Sequence, residues 1–263
     1  MAKRRIAWSE ATYRKYLAES RGQGILSEYK PWITIQDFPS KGIVSRVQGI
    51  TTGRVHHFMS NLELHYFYIL DWSEKTLDIR EQFPLLDLQE TIEIADKMGV
   101  KYPFDNLSGF PYVLTSDFLI TTTHGIVARS VKPSKELRKK RVLEKMEIER
   151  QYWGKRNIGW KIVTEREISP VKARNIEWLL SGESALKLIP DAEIMTQSVS
   201  DFMLLYESQR FSWAEIIESI ERKYGFHMGV GIAIFKMLVR ERRIYLDISR
   251  EINLETSERK LNV

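Results

Sequence analysis

The sequence predicts an α/β protein in two parts: a unit of strands and helices over residues 1–168, then a mainly helical, winged-helix-like unit over residues 169–263. Three observations predict it. Residues 112–120 and 126–131 are β-prone runs either side of the polar turn Thr122-Thr-His-Gly125, a β-hairpin signature. A long helical pattern from Ser134 to about Arg156 follows, then a short buried strand over 160–164. Past Ser169-Pro170 the strand signals fade and helical periodicity takes over.

In chain order, Ser9 caps a first helix running to about Arg21, with Glu10 in its first turn and Gly22-Gln-Gly24 ending it. Residues 25–59 read as extended segments and loops, punctuated by Pro31, Pro39, Gly42, Gly49 and Gly53. Ser60 is placed as the N-cap of a helix to about Trp72. Residues 77–83 form a strand stopped by Pro84, and 88–98 a short helix or an irregular segment. In the second part helices are expected over 171–180, 191–207, 213–224 and 228–242. A strand over 245–248 with a partner near 251–254 would complete a winged-helix module.

Composition narrows the chemistry. The 263 residues contain no cysteine, which excludes disulfides, thiolate zinc sites and thiol nucleophiles and fits a reducing cytoplasm. The basic start Met-Ala-Lys-Arg-Arg has no apolar stretch behind it, so no signal peptide is expected, and no apolar run is long enough to span a bilayer. Lys and Arg number 40 against 35 Asp and Glu, a net charge of +5 that permits a nucleic-acid partner without demanding one. There is no Walker-type glycine loop, and Gly225-Phe-His-Met-Gly229-Val-Gly231 reads as a helix–helix turn.

The chemistry-bearing residues are Glu63, Asp117 and Lys132. Strand alternation puts Val113, Thr115, Asp117 and Leu119 on one face, and Ile126, Ala128, Ser130 and Lys132 on one face of the next run. A hairpin therefore brings Asp117 and Lys132 to the same side of a sheet. Glu63 shares the inward stripe of Tyr66, Phe67 and Leu70, a costly place for an acid unless it is paired or metal-bound. Carboxylates with a neighbouring lysine suit metal-dependent phosphodiester hydrolysis. Asp117 would be the central ligand of Mg²⁺, with Mn²⁺ able to substitute, Glu63 would complete the site or position a second metal, and Lys132 would orient or help deprotonate the attacking water and offset phosphorane charge. Glu149, at helical spacing from Val142, Met146 and Trp153, also points partly inward, as a candidate support for the site. Lys135, Arg138, Lys139, Lys140 and Arg141 open the following helix, where the dipole favours acids, and are candidate DNA contacts. Lys3, Arg4 and Arg5 form a second basic group.

Each of these has a plain structural alternative. An Asp–Lys pair on a hairpin can be a surface ion pair, Glu63 can simply complement a helix dipole, and a basic helical face can be solvated. His56 and His57 are adjacent on a strand and face opposite ways, so they cannot easily chelate together. His65, His124 and His227 are scattered.

Longer strings add a resemblance. Gly22-Gln-Gly, Lys30-Pro-Trp-Ile-Thr-Ile-Gln, Thr52-Gly-Arg-Val-His-His, Asp78-Ile-Arg-Glu-Gln-Phe-Pro-Leu, Ser116-Asp-Phe-Leu, Val131-Lys-Pro, Leu143-Glu-Lys and Ile176-Glu-Trp-Leu resemble the TnsA family, endonuclease subunits of heteromeric bacterial transposases. The likeness covers roughly residues 8 to 180. It implies a restriction-endonuclease-like first domain, a mixed sheet flanked by helices, whose active-site acids and lysine fall on Glu63, Asp117 and Lys132. It further implies cleavage at the 5′ ends of a transposon, a DDE-type TnsB-like partner at the 3′ ends, and an ATP-dependent TnsC-like regulator contacted through the C-terminal domain. A cytoplasmic, nucleoid-associated protein bound to transposon-end DNA is expected. Related nucleases carry Glu or Asp two positions before the lysine, and TnsA proteins carry Gln, whereas this chain has Ser130. A serine is a poor metal ligand, so metal contact at this position is expected from its backbone carbonyl or through water. An inert DNA-binding adaptor and a stand-alone nuclease are the competing expectations.

Overall fold

Polar caps and aromatic packing set the start of the chain. Ser9 accepts a hydrogen bond from the Thr12 amide and opens α1 (Glu10–Ala18), which stops three residues short of the expected Arg21 because Ser20 turns to φ 57°. Arg21 then lies 3.6 Å from the Tyr16 ring centre and pairs with Asp37, fixing α1 against an aromatic cluster of Trp8, Tyr13, Tyr16 and Trp32. The computed structural model describes residues 8–37 and 44–256, so Lys3, Arg4, Arg5, Pro39 and Gly42 lie outside the described residues.

Two short antiparallel strands follow, β1 (Ser45–Gln48) and β2 (Val55–Phe58), and then α2 (Asn61–Asp71), capped by Ser60. Strand β3 (Thr76–Pro84) leads into α3 (Leu88–Lys97), whose Asp87 cap makes it a true helix rather than an irregular segment. The predicted hairpin is β4 (Thr115–Thr122) and β5 (Gly125–Val131). The long helix expected from Ser134 is broken. Residues Ser134–Arg138 form a 3₁₀ turn, Lys139 is extended, and α4 runs from Lys140 to Gly154. Strand β6 (Gly159–Val163) completes a mixed sheet of order β3-β4-β5-β6, antiparallel except for the parallel β5–β6 pair.

Helices cover both faces of this sheet. Leu119 and Ala128 pack with Ile94 of α3 and Ile148, Tyr152 and Trp153 of α4. On the other face Phe118 meets Phe58 of β2 and Tyr66 of α2. The alternation expected from Val113 to Leu119 does not hold throughout: Leu119 of β4 joins the α4 core, whereas Val113, two residues before β4, packs with Tyr16 and Trp32. The cause lies across the ladder in β3. Gln82 has φ 48°, a left-handed value outside the β region, and a residue held there costs on the order of 1–3 kcal/mol. Glu81 and Phe83, two apart, consequently face opposite ways, Glu81 toward Arg54 and His56 and Phe83 toward Trp153. Their β4 partners follow them, Phe118 onto Tyr66 and Ser116 onto Trp153.

The chain divides between Ser169 and Pro170 into two compact units. The second is α5 (Pro170–Leu180), a 3₁₀ turn at Glu183–Leu188, α6 (Ala192–Glu207), α7 (Trp213–Tyr224) and α8 (Val230–Arg240). A capping box of Ser212 and Glu215 starts α7, and Trp213, Phe202 and Phe235 fill the interior. The expected strands over 245–248 and 251–254 are not formed. Asp247 accepts from the amide and hydroxyl of Ser249, and Asn175 donates to the Ile248 and Arg250 carbonyls. Side chains thus take the backbone groups that a ladder would need. Among the described residues no helix is long and apolar enough to cross a membrane.

Behind the sheet, Glu81 is 1 % exposed and accepts from Arg54 through both oxygens and from His56 Nδ1 at 2.8 Å. Burial alone would raise its pKa, but the Arg54 and His56 hydrogen bonds overcome that and hold it at about 2. Removing one partner leaves a buried charge uncompensated. The Arg54→Met variant is expected to lose about 3–5 kcal/mol at pH 7, read by urea unfolding, and less at pH 4.5, where an orphaned Glu81 can protonate.

Candidate active site

Glu63 enters the site as the third residue of α2. The Ser60 hydroxyl caps the helix by accepting the Glu63 amide and donates to Glu63 Oε1 at 2.8 Å, while the Met59 amide donates to Oε2 at 3.1 Å. These contacts bind the carboxylate to the helix start, and the side chain is 6 % exposed. These are the contacts of a glutamate that caps a helix start, and burial adds a desolvation cost that a solvent-exposed dipole partner does not carry.

Asp117 sits where β4 and β5 part. Their ladder ends at Phe118↔Arg129, and the next amide toward β4, that of Val131, donates to Asp117 Oδ2 at 2.6 Å. The Lys132 ammonium donates to the same oxygen at 2.9 Å. Lys132 is held because its amide continues the β6 pairing by donating to the Val163 carbonyl. Asp117 is 7 % exposed and the Lys132 side chain 37 %, so the carboxylate of this pair lies inside the fold while its ammonium reaches solvent.

The electrostatics follow from crowding. Burial, then the charge of Asp117, raises the Glu63 pKa to about 7. Burial also opposes the charge on Lys132, but Asp117, Glu149 and Glu63 outweigh it and raise the lysine above its ordinary range. Glu149 on α4 is buried. Its pKa is raised to about 7 by burial, against the lowering effect of the Ser130 hydroxyl. Ser130 donates to Glu149 Oε2, Ser116 does so at 2.9 Å, and Trp153 Nε1 donates to Ser116 Oγ at 2.7 Å. Glu149 thus reaches the strands that carry Asp117 and Lys132 through Ser116 and Ser130.

The donor set is hard oxygen. Among the described residues no three acidic or imidazole side chains gather as a ready metal cage. Mg²⁺ does not need one, because it is commonly held by one or two carboxylates and keeps several waters. Buried Glu63 and Asp117 fit that requirement, since a bound cation would offset both the burial and the neighbouring charge that raise the Glu63 pKa.

Gln82 is a residue that the sequence reading missed. It is 5 % exposed, accepts from the Thr115 hydroxyl at 3.2 Å and donates to Glu63 Oε2 at 3.3 Å. A strand glutamine carries no sequence signal by itself. Its left-handed backbone is the signal, and that is visible only in the fold. His56 is fully buried between Glu81 and Thr52, so its role is in the core.

All five residues of the basic segment, Lys135, Arg138, Lys139, Lys140 and Arg141, are exposed. Lys139 pairs with Glu136 and Arg141 with Glu144. The other three have no acidic side chain within 4.0 Å among the described residues.

Two family models match this chain: TnsA-like endonuclease N terminal over residues 73–165 and TnsA endonuclease C terminal over residues 167–248. The Transposon Tn7 transposition protein TnsA of Escherichia coli is 37 % identical over 241 residues, covering 90 % of this chain and 86 % of that protein. With strong identity across nearly the whole length, and both halves matched in order, the chain belongs to the TnsA family of endonucleases.

Proposed function

We propose that this chain is the metal-dependent nuclease subunit of a transposase, hydrolysing phosphodiester bonds at the 5′ ends of a transposon while a DDE-type, TnsB-like partner processes the 3′ ends. The observation that carries the reading is the meeting of buried Glu63 and Asp117 with Lys132 at the open end of the β4–β5 ladder. Family membership supports the transposition setting, since the Escherichia coli relative is a transposition protein by name. An ATP-dependent, TnsC-like regulator belongs to the same proposal, with the residue 170–263 unit as its contact.

Glu63 and Asp117 would hold Mg²⁺ or Mn²⁺. Such an ion lowers the pKa of bound water and offsets charge on the phosphate. Within one strand residue, N–H and C=O project to the same side. The Val131 amide points at Asp117 and the Lys132 amide at β6, so the main-chain oxygen on the Asp117 side belongs to Val131, not to Ser130 as expected. We therefore assign the main-chain contact to Val131, and to Ser130 the anchoring of Glu149.

Lys132 stays cationic in this surrounding. It is a poor proton acceptor there, and its part is to neutralise charge as the phosphate becomes pentavalent. Lys135, Arg138 and Lys140 would bind the DNA backbone beside the cut.

The inert-adaptor reading draws on Ser130, which replaces the usual acid, and on the Lys132–Asp117 ion pair, which closes the site upon itself. Cleavage separates the two. In the complex reconstituted with its partners, Asp117→Ala is expected to abolish Mg²⁺-supported 5′-strand cleavage while assembly persists. Cleavage retained by that variant would refute the site, and a wild-type complex that never cuts would favour the adaptor.

Charge removal on the basic segment gives a second outcome. The triple variant Lys135→Ala, Arg138→Ala, Lys140→Ala is expected to weaken DNA binding and to flatten its log–log salt dependence by about 0.9 per lost phosphate contact. An unchanged slope in a salt titration would remove these residues from the interface.

The raised carboxylates give a third. Glu63 and Glu149 take up protons near pH 7 when folded and near 4.5 when unfolded, so the folded state binds more protons between those values. Metal-free stability should fall as pH rises through that window and level off above it. For Glu149 the shift corresponds to on the order of 3 kcal/mol at pH 8. Glu149→Gln is expected to raise the melting temperature at pH 8 and to change it little at pH 5, and equal effects at both pH values would contradict the assignment.

A further inference from the structure

We infer that Gln82 is a positioning residue of the nuclease site, aiming the Glu63 carboxylate at the space it shares with Asp117. The inference rests on the reading that Glu63 and Asp117 hold a divalent ion. Three independent features of the fold carry it.

The first is place. The β3–β4 register runs Glu81↔Phe118 and then Phe83↔Ser116, so Gln82 and Asp117 occupy the level between. The second is backbone. At φ 48° Gln82 reverses the facing of β3, and its conformation is held from both sides. On one side Glu81 is fixed by Arg54, His56 and the His57 amide; on the other the Gln82 carbonyl accepts from the Trp32 amide at 3.3 Å. Tyr29 adds a bond to the Glu81 carbonyl at 3.0 Å. A glycine would meet a left-handed φ at no steric cost, so the backbone alone gives no reason for glutamine.

The third is the side chain, which supplies that reason. Its carbonyl oxygen accepts from Thr115, the residue two before Asp117, and the ionised Glu63 carboxylate, which can only accept, sets the N–H end toward α2. One N–H of its amide reaches Glu63 Oε2, the oxygen also held by the Met59 amide. One amide therefore links β4, β3 and α2 at the site. Groups that orient metal ligands in this way are typically worth 10–100-fold in metal affinity or activity.

Glycine at this position separates the side chain from the turn. The full-length chain, free of DNA, is titrated with Mn²⁺ by calorimetry and by electron paramagnetic resonance, and its melting is recorded without metal. Gln82→Gly is expected to melt at or above the wild-type temperature and to bind Mn²⁺ at least about 10-fold more weakly. Gln82→Asn, which tolerates the left-handed backbone and keeps a shortened amide, is expected to fall between the two and serves if the glycine variant does not fold. Wild-type Mn²⁺ affinity in a folded Gln82→Gly protein, or in Gln82→Asn where glycine fails to fold, would overturn the inference. Glu63→Gln and Asp117→Asn are run beside it. If both retain wild-type Mn²⁺ affinity, the metal reading itself fails; if both lose it while the Gln82 variant does not, only the positioning role fails.

Discussion

Three buried carboxylates share one ammonium group, and the rest of the first unit is arranged around that imbalance. Glu63, Asp117 and Glu149 lie within electrostatic reach of Lys132, and full ionisation would leave a net negative charge in a poorly solvated space. The fold limits the penalty by hydrogen bonding rather than by counter-charge. Main-chain amides of Met59 and Val131 hold Glu63 and Asp117, and hydroxyls of Ser60, Ser116 and Ser130 hold Glu63 and Glu149. Dipoles of this kind stabilise a carboxylate without cancelling its charge, so attraction for a cation survives. A site built for stability alone would have placed arginines here, as the fold does one layer away.

That neighbouring layer makes the contrast plain. Glu81 is at least as buried as Glu63, yet Arg54 and His56 bring it down to about 2 whereas Glu63 rises to about 7. The two glutamates are joined through Gln82, next in sequence to one and hydrogen-bonded to the other. One acid is neutralised to anchor a strained strand; the other is left under-compensated where that strand turns. The division matches the general pattern in which strain and perturbed pKa values gather at functional sites while the surrounding structure over-determines them.

Much of this was legible from residue types and spacing. The inward stripe through Tyr66, Phe67 and Leu70 placed Glu63 in the interior, and the Thr122-Thr-His-Gly125 turn placed Asp117 and Lys132 across a hairpin. What could not be read were departures from regular geometry. Period-two alternation assigns Val113 and Leu119 to one face, and it fails because Gln82, on a different strand, resets the pleat. Helical periodicity likewise runs through Lys139, whose extended backbone divides the 3₁₀ turn from α4. The missing hairpin after α8 has the same origin, since Asn175, far away in sequence, captures the carbonyls that would have paired. Local pattern carries local structure; long-range side-chain bonds that rewrite it leave no mark in a window of a dozen residues.

Ser130 shows how one substitution is accommodated by its neighbours. Its hydroxyl donates to Glu149 Oε2, the oxygen that Ser116 and, at 3.4 Å, Trp160 Nε1 also reach. An aspartate or glutamate at 130 would set a second carboxylate against a buried one, and like charges in such a place favour keeping one group protonated. Serine removes that conflict by being small, uncharged and a donor. It leaves Glu149 as the acid of this corner, contributed by α4 rather than by the strand that carries Lys132. The carboxylates at the site are then tied to three different elements, α2, β4 and α4, whose relative positions are fixed by the apolar packing of Phe118 on one face of the sheet and Leu119 on the other. The precision of the polar site is therefore inherited from the two hydrophobic layers that enclose it.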